Sequence, residues 1–591
     1  MKDSRRSTRA EGAARPRRTT PAAPSAAPPP RIRIWPYLLG ALLAVFLAFE
    51  IYQPAIRGPF LYDDRYLPFF APEFASAPLW NWIAGVRPAL MLSYWANFQL
   101  VQLDPYWYHV VNVFFHAGNA ILVWLIALKI LEWAGVPKTQ RAVLAIFSGL
   151  LFLLHPLQTE SVAYVASRSE TQSLFFFLAA FAVFLYRPSP AVSWPVATAV
   201  LILFAAACLT KEHAAVLPAL LILTDYFWNP GFNLAGIRRN WRLYLPVSAL
   251  GAVGAAVIWR VLATSTSAGF GMKDLPWRQY FFTQCRAIWT YLRMIALPYG
   301  QNIDHDFPIS RTVFDHGALF GLIALAAVTI AAWVWRKRFP LAAYGWFVFL
   351  LLLAPTSSII PIQDVLVERR VYLPFFGVTL ICCELLRRAP LGRPAPVAAL
   401  AAILLALGVV ARQRNEVWSN AISLWKDATA KSPNKSRPHF QLAFAYYSEG
   451  RCLDAVKEYQ RTSELDNKDD RLYIDWALAY DCAKQPEAAL EKLRRATSIS
   501  KTGLAYSLIG MVYAKQNRRA EALEALDQAE RLDPNLEATY VNRGNLYLLS
   551  QEFDKAASQF RRALELNPAD AIARNGLDMA QRRQAPAPPA L

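Results

Sequence analysis

The chain has 591 residues, 55% of them hydrophobic, and a mean hydropathy of +0.22. A water-soluble protein of this length does not carry so much apolar sequence, so much of the chain is expected to lie in lipid. Its net charge of +19 is concentrated in a basic N-terminal arm and the apolar middle, where basic loops report membrane topology and not nucleic-acid binding. The six cysteines show no C-x-x-C or zinc-like spacing and most lie in apolar runs, so neither a disulfide framework nor a structural metal is expected.

Residues 1–34 are rich in Arg, Ala, Pro and Ser and hold nine basic residues against two acidic ones. This composition predicts a disordered cytoplasmic arm. Residues 35–411 then form a membrane domain, in which eleven apolar runs are interpreted as spans. They cover residues 36–52, 110–131, 142–154, 171–186, 191–209, 214–228, 243–262, 314–335, 341–354, 372–386 and 396–411.

Two segments of this domain are not expected to span the membrane. Residues 53–109 form a long outer loop rich in Trp, Tyr and Pro, which is typical of segments on a membrane surface. Residues 280–297 carry Arg286 and Arg293 on one helical face, and an interfacial position there keeps the later basic loops cytoplasmic. Eleven spans place everything after Arg412 opposite the N-terminus, which in the inner membrane of a bacterium is the periplasm.

Beyond the membrane domain the sequence is soluble and repeats with a period of about 34 residues. The register is that of tetratricopeptide repeats, so we predict a linking half repeat at 412–435, four repeats at 436–570, and a cap with a Pro/Ala tail at 571–591. Such repeats stack into a superhelix with a concave surface for peptides or partner helices. The third repeat shows the pattern in Tyr506, Ile509, Gly510, Tyr513, Ala522, Leu526, Ala529 and Pro534.

The ionisable residues near the predicted spans collect on the outer side, where charges beside a membrane are usually functional. Asp63 and Asp64 follow the first span, and one of them is a candidate general base for an acceptor hydroxyl. The alternative is a solvated loop carboxylate or a helix N-cap. With ligands from elsewhere, the pair can also hold a divalent cation.

A dense polar stretch at residues 155–170 separates two apolar runs. Glu160 and Arg168 are eight residues apart and share a face if the helix is continuous. Arg168 is a candidate for gripping a phosphate, while Glu160 or His155 orients a sugar or shares a proton. The alternative is an interfacial ion pair that only orients the helix. Lys211 either reaches a phosphate or extends its amine to the membrane surface.

Arg369 and Arg370 lie on the outer side, against the positive-inside trend, and therefore need an anionic partner. The candidates are Glu368, Asp364, the Asp63 and Asp64 pair, or a lipid phosphate. Four further polar residues are read as ordinary loop residues: Asn302, Asp304, His305 and Asp306. Within the second span, His116 and Asn119 either line a cavity or bond across helices.

These motifs together resemble the transmembrane and tetratricopeptide repeat-containing O-mannosyltransferases and their bacterial relatives, which belong to the GT-C glycosyltransferases. The carriers are residues 60–64, the 155–170 stretch, Lys211-Glu212, residues 368–374 and the repeats. The resemblance implies an all-α protein, with a GT-C type bundle of about eleven spans followed by an α-solenoid. It also implies inverting transfer of one sugar from a polyprenyl-phosphate donor to a Ser or Thr hydroxyl of protein on the non-cytoplasmic side. The donor sugar is not carried over.

Carried onto this chain, the resemblance makes Asp63 and Asp64 the catalytic candidates. Its implied partners are membrane lipid, the polyprenyl-phosphate sugar, and an acceptor polypeptide or partner protein on the repeats. No cofactor beyond a divalent cation is expected. The candidates for binding the donor phosphate are Arg168, Lys211, Arg369 and Arg370, and those for orienting donor or acceptor are His155, Glu160, Glu212 and Tyr372.

Two other functions remain open from the sequence. One is a transferase that acts on an envelope glycan or lipid, with the repeats recruiting a partner. The other is a non-enzymatic membrane scaffold that assembles partners through its repeats. A transporter is disfavoured, because the charges cluster at one face and do not line the middle of the bundle.

Overall fold

The structure, a computed structural model, describes residues 34–264 and 268–584. In this part of the chain the regular elements are helical, and the only β-type pairing is one isolated bridge between Ala268 and Ile362. The predicted N-terminal arm, except its last residue, lies outside the described residues. The same holds for residues 585–591 of the predicted tail.

The first seventeen α-helices belong to the apolar part of the chain. They are α1 (Trp35–Ile56), α2 (Pro72–Ala75), α3 (Leu79–Ile83), α4 (Pro88–Val101), α5 (Pro105–Trp133), α6 (Lys138–Leu154), α7 (Thr159–Ala163), α8 (Arg168–Leu185), α9 (Trp194–Cys208), α10 (Leu217–Trp228), α11 (Ala235–Arg239), α12 (Trp241–Thr264), α13 (Trp277–Ala296), α14 (Ala318–Val334), α15 (Pro340–Leu353), α16 (Phe375–Leu386) and α17 (Pro394–Val417). Short 3-10 turns join several of them: Tyr62–Tyr66, Pro68–Phe70, Pro156–Gln158, Val165–Ser167, Glu212–Val216, Asp315–Gly317 and Glu368–Val371.

Only some of these helices are long and apolar enough to cross a bilayer. Four of the described helices qualify, namely α1, α5, α14 with its preceding turn, and α17. A fifth span is possible if α6 and the following Pro156–Ala163 segment, bent by 50°, count as one. The helices α9, α15 and α16 are apolar but have only 15, 14 and 12 residues, whereas a straight span needs about 20. The predicted count of eleven spans is therefore not confirmed.

The core of the bundle forms around α5, which packs against α1, α6 and α8. Small and branched apolar side chains of α5, such as Ala117, Val123 and Ala127, are completely buried there. The first and last long helices, α1 and α17, lie side by side, and the Arg412 guanidinium donates a hydrogen bond to Gln53 Oε1 at 3.1 Å. By contrast, apolar side chains of α14 and α17 point away from the bundle, as expected for surfaces that meet lipid.

The soluble part consists of paired helices. They are α18 (Ala421–Lys431), α19 (Ser436–Ser448), α20 (Cys452–Leu465), α21 (Asp470–Cys482), α22 (Pro486–Ile499), α23 (Gly503–Lys515), α24 (Arg519–Leu532), α25 (Glu537–Leu549), α26 (Phe553–Leu566) and α27 (Ala571–Gln581). Close approach explains the small residues of the repeat pattern. A Cβ added to Gly544 of α25 would lie 2.7 Å from the Phe560 ring of α26.

One disulfide joins two adjacent repeats. Cys452 begins α20 and Cys482 ends α21, and their Cα atoms are 5.8 Å apart. The expectation that the cysteines form no disulfide is wrong for this pair. The bridge is not visible in the spacing because it depends on the stacking of one repeat on the next, which brings together residues 30 positions apart.

The solenoid is attached directly to the bundle through a loop at residues 301–306. The buried Asp304 carboxylate accepts hydrogen bonds from Arg437 Nε at 2.6 Å and Lys435 Nζ at 2.5 Å. The Asn302 side chain donates to Ser432 Oγ at 2.8 Å. The prediction that Asn302 and Asp304 are ordinary loop residues is therefore wrong, because their polar groups hold the first repeat.

Candidate active site

The adjacent carboxylates Asp63 and Asp64 have opposite environments within the 3-10 turn Tyr62–Tyr66. The Asp64 side chain is completely buried, with Oδ2 accepting from the Leu61 backbone N–H at 2.9 Å and Oδ1 from the Ala166 N–H at 2.7 Å. Burial raises its pKa to about 7, although the backbone hydrogen bonds act in the opposite direction. Asp64 thus caps backbone groups and fixes the first loop to the 155–170 stretch, which is the alternative that the sequence left open.

Asp63 is exposed, and its backbone N–H donates to the hydroxyl of Tyr164 at 2.9 Å. Burial raises the pKa of Tyr164 well above its usual value; the charges of Asp64 and Asp63 raise it further and that of Arg369 lowers it. Asp63 and Arg369 therefore lie within electrostatic reach of the same hydroxyl. Of the two aspartates, only Asp63 has a carboxylate that a bound molecule can approach.

Arg369 is held in place by Glu160 of α7. The Glu160 side chain is 2% exposed, and it accepts the Arg369 Nη1–H at 2.5 Å and the Arg369 backbone N–H at 3.1 Å. The Arg369 side chain keeps 29% of its surface exposed. One edge of the guanidinium is thus anchored and the rest remains available to an anion.

The predicted pairing of Glu160 with Arg168 does not form. The helix ends at Ala163, and the 3-10 turn Val165–Ser167 intervenes before α8 begins at Arg168. Because the helix is broken, the eight-residue spacing no longer places the two side chains on one face. Glu160 is therefore paired with an arginine from a distant part of the chain.

Arg168 has no surface left for a phosphate. Its guanidinium is fully buried and lies 4.6 Å and 5.5 Å from the ring centroids of Tyr94 and Tyr108. It donates four hydrogen bonds, to Asn112 Oδ1, Asn97 Oδ1, Ser93 O and Tyr108 O. The structure contradicts the prediction that Arg168 binds the donor phosphate, because the first long loop and α5 use its N–H groups. Arg168 instead ties α4 and α5 to α8.

Arg370 and Lys211 are also engaged by protein groups. Arg370 Nη2 donates to the Asp364 carbonyl at 2.5 Å and Nη1 to the Tyr280 hydroxyl at 3.1 Å, so it shapes its own loop. The Lys211 amine is paired with the buried Glu170 carboxylate. Neither side chain reaches Asp63 through a contact in the structure, although Arg370 stays half-buried beside Arg369.

Glu212 forms an exposed ion pair with Arg87 at 2.8 Å, at the start of α4. Burial on its own would raise the pKa of Glu212, but Arg87 outweighs burial and lowers it to about 2. This pair joins the first long loop to the 3-10 turn Glu212–Val216. Glu212 therefore holds a loop in position, and the structure does not bring it to Asp63.

His155 and Tyr372 are buried, and their polar groups are hydrogen bonded within the bundle. His155 Nε2 is hydrogen bonded to the Ile295 carbonyl at 2.9 Å. The Tyr372 hydroxyl is hydrogen bonded to His116 Nδ1 at 2.9 Å and to Asn119 Nδ2 at 3.1 Å. These contacts contradict the prediction that His155 and Tyr372 orient donor or acceptor, and they show that His116 and Asn119 bond across helices.

Two further residues of the site have only weak sequence signals. Arg437, from the first turn of α19, pairs with Asp364 at 2.7 Å. Burial on its own would raise the pKa of Asp364, but the charge of Arg437 outweighs burial and lowers it. Both act on the half-buried Tyr62 hydroxyl, whose pKa burial raises to about 12. In the sequence, Asp364 is only one of several candidate partners of Arg369 and Arg370, and nothing in the repeat pattern distinguishes Arg437.

These groups act on one another through a backbone hydrogen bond, an ion pair and electrostatic interactions, and we call the region that they occupy the charged cleft. Its members are Asp63, Tyr164, Arg369, Asp364 and Arg437. It joins an exposed carboxylate to a partly exposed, rigidly held guanidinium, which is the combination needed to accept a proton and to bind an anion. Within residues 34–264 and 268–584, no group of three or more His, Cys, Asp or Glu side chains is arranged to hold a metal ion.

Comparison with known proteins adds independent information. Residues 503–536 and 538–570 match the tetratricopeptide repeat family. Over 538 residues the chain is 21% identical to the human protein O-mannosyl-transferase TMTC3. The aligned region covers 81% of this chain and 57% of that protein. The Caenorhabditis elegans protein O-mannosyl-transferase F38B6.6 is 23% identical over 72% of this chain and 62% of that protein. The resemblance predicted from the motifs is confirmed.

The resemblance covers the membrane domain and the repeats of this chain together. The chain spans a little under three fifths of the length of the human relative it matches. Among solved structures, the crystal structure of MamA is 24% identical and covers 27% of this chain and 92% of that chain, with a TM-score of 0.23. That score is too low to show a shared fold.

Proposed function

We propose that this chain is a membrane glycosyltransferase. It moves a monosaccharide from a polyprenyl-phosphate donor to a Ser or Thr hydroxyl of protein on the non-cytoplasmic side. The observation that carries the proposal is the charged cleft, in which the exposed Asp63 and the anchored Arg369 act on the same Tyr164 hydroxyl. The resemblance to protein O-mannosyl-transferases supports the type of reaction.

In this mechanism Asp63 removes the proton of the acceptor hydroxyl as its oxygen attacks the anomeric carbon. A bond forms between the acceptor oxygen and that carbon. The bond from the carbon to the phosphate oxygen breaks, and the polyprenyl phosphate leaves with the electron pair. Arg369 stabilises the charge that develops on the leaving phosphate. A single displacement of this kind inverts the configuration at the anomeric carbon.

The other residues of the cleft keep these two groups in place. Glu160 binds both the backbone and the side chain of Arg369, which fixes the direction of the guanidinium. Asp64 fixes the turn that carries Asp63. Positioning of this kind lowers the reorganisation needed during the reaction, which is a large part of enzymatic rate acceleration.

Two observations support the non-cytoplasmic location of the cleft. The basic loops at residues 336–338 and 387–393 satisfy the positive-inside rule when the cleft lies on the other side. The disulfide between Cys452 and Cys482 lies in the repeats, which contact the cleft through Arg437. Disulfides persist in oxidising compartments and are rare in the cytosol.

The test is sugar transfer from radiolabelled polyprenyl-phosphate monosaccharides into membrane proteins and glycans. Asp63→Asn is expected to lower label on protein by roughly 10²- to 10⁴-fold, because it removes the base and leaves the shape unchanged. Asp274→Asn, at an exposed carboxylate of another loop, is the matched control and is expected to transfer normally.

Three outcomes would change the proposal. Unchanged transfer by Asp63→Asn would show that another group is the base. Label on glycan or lipid, and not on protein, would favour a transferase of envelope glycans. If the chain transfers no label from any donor, and cells with the Asp63→Asn variant behave like the parent cells, a scaffold would be favoured.

A further inference from the structure

A cavity lies between the loop at residues 53–109 and the first two repeats. Its volume is about 250 Å³, and the loop contributes Tyr62, Arg65 and Tyr66 to its walls. The repeats contribute residues of α18, α19 and α21 to the opposite wall. Sites for whole small molecules usually measure roughly 300–1,000 Å³, so this cavity suits a side chain or two of a larger ligand.

The walls of this cavity are aromatic. Phe440 and Phe444 lie one turn apart on α19 and face it together. The Tyr62 ring packs edge-on against Trp425 at 5.3 Å. An open concave surface with several aromatic rings is a typical recognition site for an apolar group of a partner.

The rim of the cavity is positively charged. Arg65 is exposed and its guanidinium lies 5.1 Å from the Phe444 ring centroid, and among the described residues no carboxylate forms an ion pair with it. The Arg471 side chain is 65% exposed and approaches its nearest paired carboxylate, Asp475, only at 3.9 Å. The two guanidinium groups therefore retain capacity for an added carboxylate.

The cavity is adjacent to the candidate base. Asp63 lies between Tyr62 and Arg65 in one 3-10 turn, so the base and the cavity wall are at most two residues apart. An extended polypeptide advances about 3.3 Å per residue. An acceptor polypeptide whose hydroxyl lies at Asp63 can therefore place in the cavity the side chain of a residue about two to four positions away.

We propose that this cavity recognises the acceptor polypeptide. It takes a large apolar side chain close to the modified Ser or Thr, and Arg65 and Arg471 bind an Asp or Glu beside that side chain. This inference rests on the proposed function for its substrate, since it assumes that the hydroxyl belongs to protein. The Tyr62–Tyr66 turn and the repeats bind the acceptor together, because each supplies one wall of the cavity and one arginine.

The test measures peptide binding without any donor sugar. The probes are fluorescein-labelled 13-residue peptides with a central Thr. Beside the Thr each peptide carries either Phe or Gly, and either Glu or Lys. Their affinity for the detergent-solubilised full chain is measured. The peptides with both Phe and Glu are expected to bind about tenfold or more tightly than those with Gly and Lys. Equal affinity for all peptides, or binding of none, would overturn the proposal.

Variants identify the cavity as the place of binding. The double variant Arg65→Glu/Arg471→Glu is expected to prefer the Lys peptides, and this reversal cannot result from misfolding. Phe444→Ala is expected to remove the preference for Phe. Arg561→Glu, at an exposed position of α26 far along the solenoid, is the matched control and is expected to bind like the parent chain.

Sugar transfer separates this inference from the proposed function. Transfer to protein with an unchanged KM in the double variant would refute the cavity and leave the glycosyltransferase intact. Selective peptide binding that the double variant reverses, without transfer from any donor, would establish the cavity and refute the transferase.

Discussion

Ion pairs in the repeats differ from those around the charged cleft. In the repeats, Arg562 and Glu565 are a typical pair: they are three residues apart on one helix, 2.8 Å apart in space, and 46% and 63% exposed. Near the cleft, Arg369 and Glu160 are 209 residues apart in sequence, and the carboxylate is 2% exposed. The first kind of pair decorates a surface, whereas the second kind joins separate segments of the chain.

The difference reflects what else holds each region together. Each repeat buries alanines and aromatic rings between its helices, so its ion pairs add little. The loops around the cleft bury several carboxylates, and some of these, such as Glu160, are compensated by a cation. Loss of Arg369 at the cleft therefore leaves the buried Glu160 charge uncompensated, while loss of Arg562 in the repeats leaves a hydrated carboxylate.

The largest effect is expected from Arg369→Met. The variant leaves the Glu160 carboxylate buried without its cation, which costs about 3–5 kcal/mol when a buried pair is broken. Thermal unfolding of the solubilised protein measures this as a lower midpoint. Glu160→Gln is the informative control, since the partly exposed Arg369 stays hydrated and the loss is expected to be smaller. Equal losses in both variants would contradict the distinction.

A smaller effect is expected from Asp304→Asn. The substitution weakens the charge-assisted hydrogen bonds from Lys435 and Arg437, and bonds of this type contribute about 1.5–3 kcal/mol. The repeats should detach more easily from the bundle, which limited proteolysis near residues 431–437 detects as faster cleavage. Asp306→Asn, on the same loop, serves as the control and should leave the cleavage rate unchanged.

Burial of Asp64 is expected to make the stability of the protein depend on pH. Its pKa is about 7 in the folded protein and about 4 in an unfolded chain, so the folded state binds the proton more tightly. Its contribution to stability is therefore complete below pH 4 and is lost as the pH rises towards 7. The unfolding midpoint of Asp64→Asn should fall less than that of the parent chain over this range.

The smallest effect is expected from Arg562→Ala. Both partners of this pair are exposed, and such pairs contribute about 0.2–1 kcal/mol or less. The unfolding midpoint should stay within the scatter of repeated measurements, and 1 M salt should remove any remaining difference. A loss as large as that of Arg369→Met would show that surface pairs hold the solenoid together.

The repeats could be predicted from the sequence because each helix pair follows a local pattern. The third repeat has its aromatic, small and alanine positions within one 34-residue period, and α23 and α24 form where that period places them. The pattern depends on neighbours in sequence, so it survives without knowledge of the rest of the fold. Position on the loop, by contrast, does not tell the exposed Asp63 from the buried Asp64.

The partners around the cleft could not be predicted, because they depend on distant segments. The eight-residue spacing predicts a pair of Glu160 with Arg168 only if the helix is continuous. The helix ends at Ala163, and Glu160 pairs with Arg369. The role of Asp304 depends on where the first repeat docks, and sequence spacing carries no information about that. The count of eleven spans, which was based on apolar runs, is also not confirmed, since helices such as α16 are shorter than a full span.

The contact between α1 and α17 sets the order in which this protein can be completed. The ribosome makes α1 more than 330 residues before α17, which at 5–20 residues per second corresponds to a delay of roughly 20–70 s. During this time neither α17 nor the repeats have been made. The wall of the cavity that helices α18, α19 and α21 form is therefore synthesised long after the Tyr62–Tyr66 turn, and a chain that ends before α18 lacks this wall.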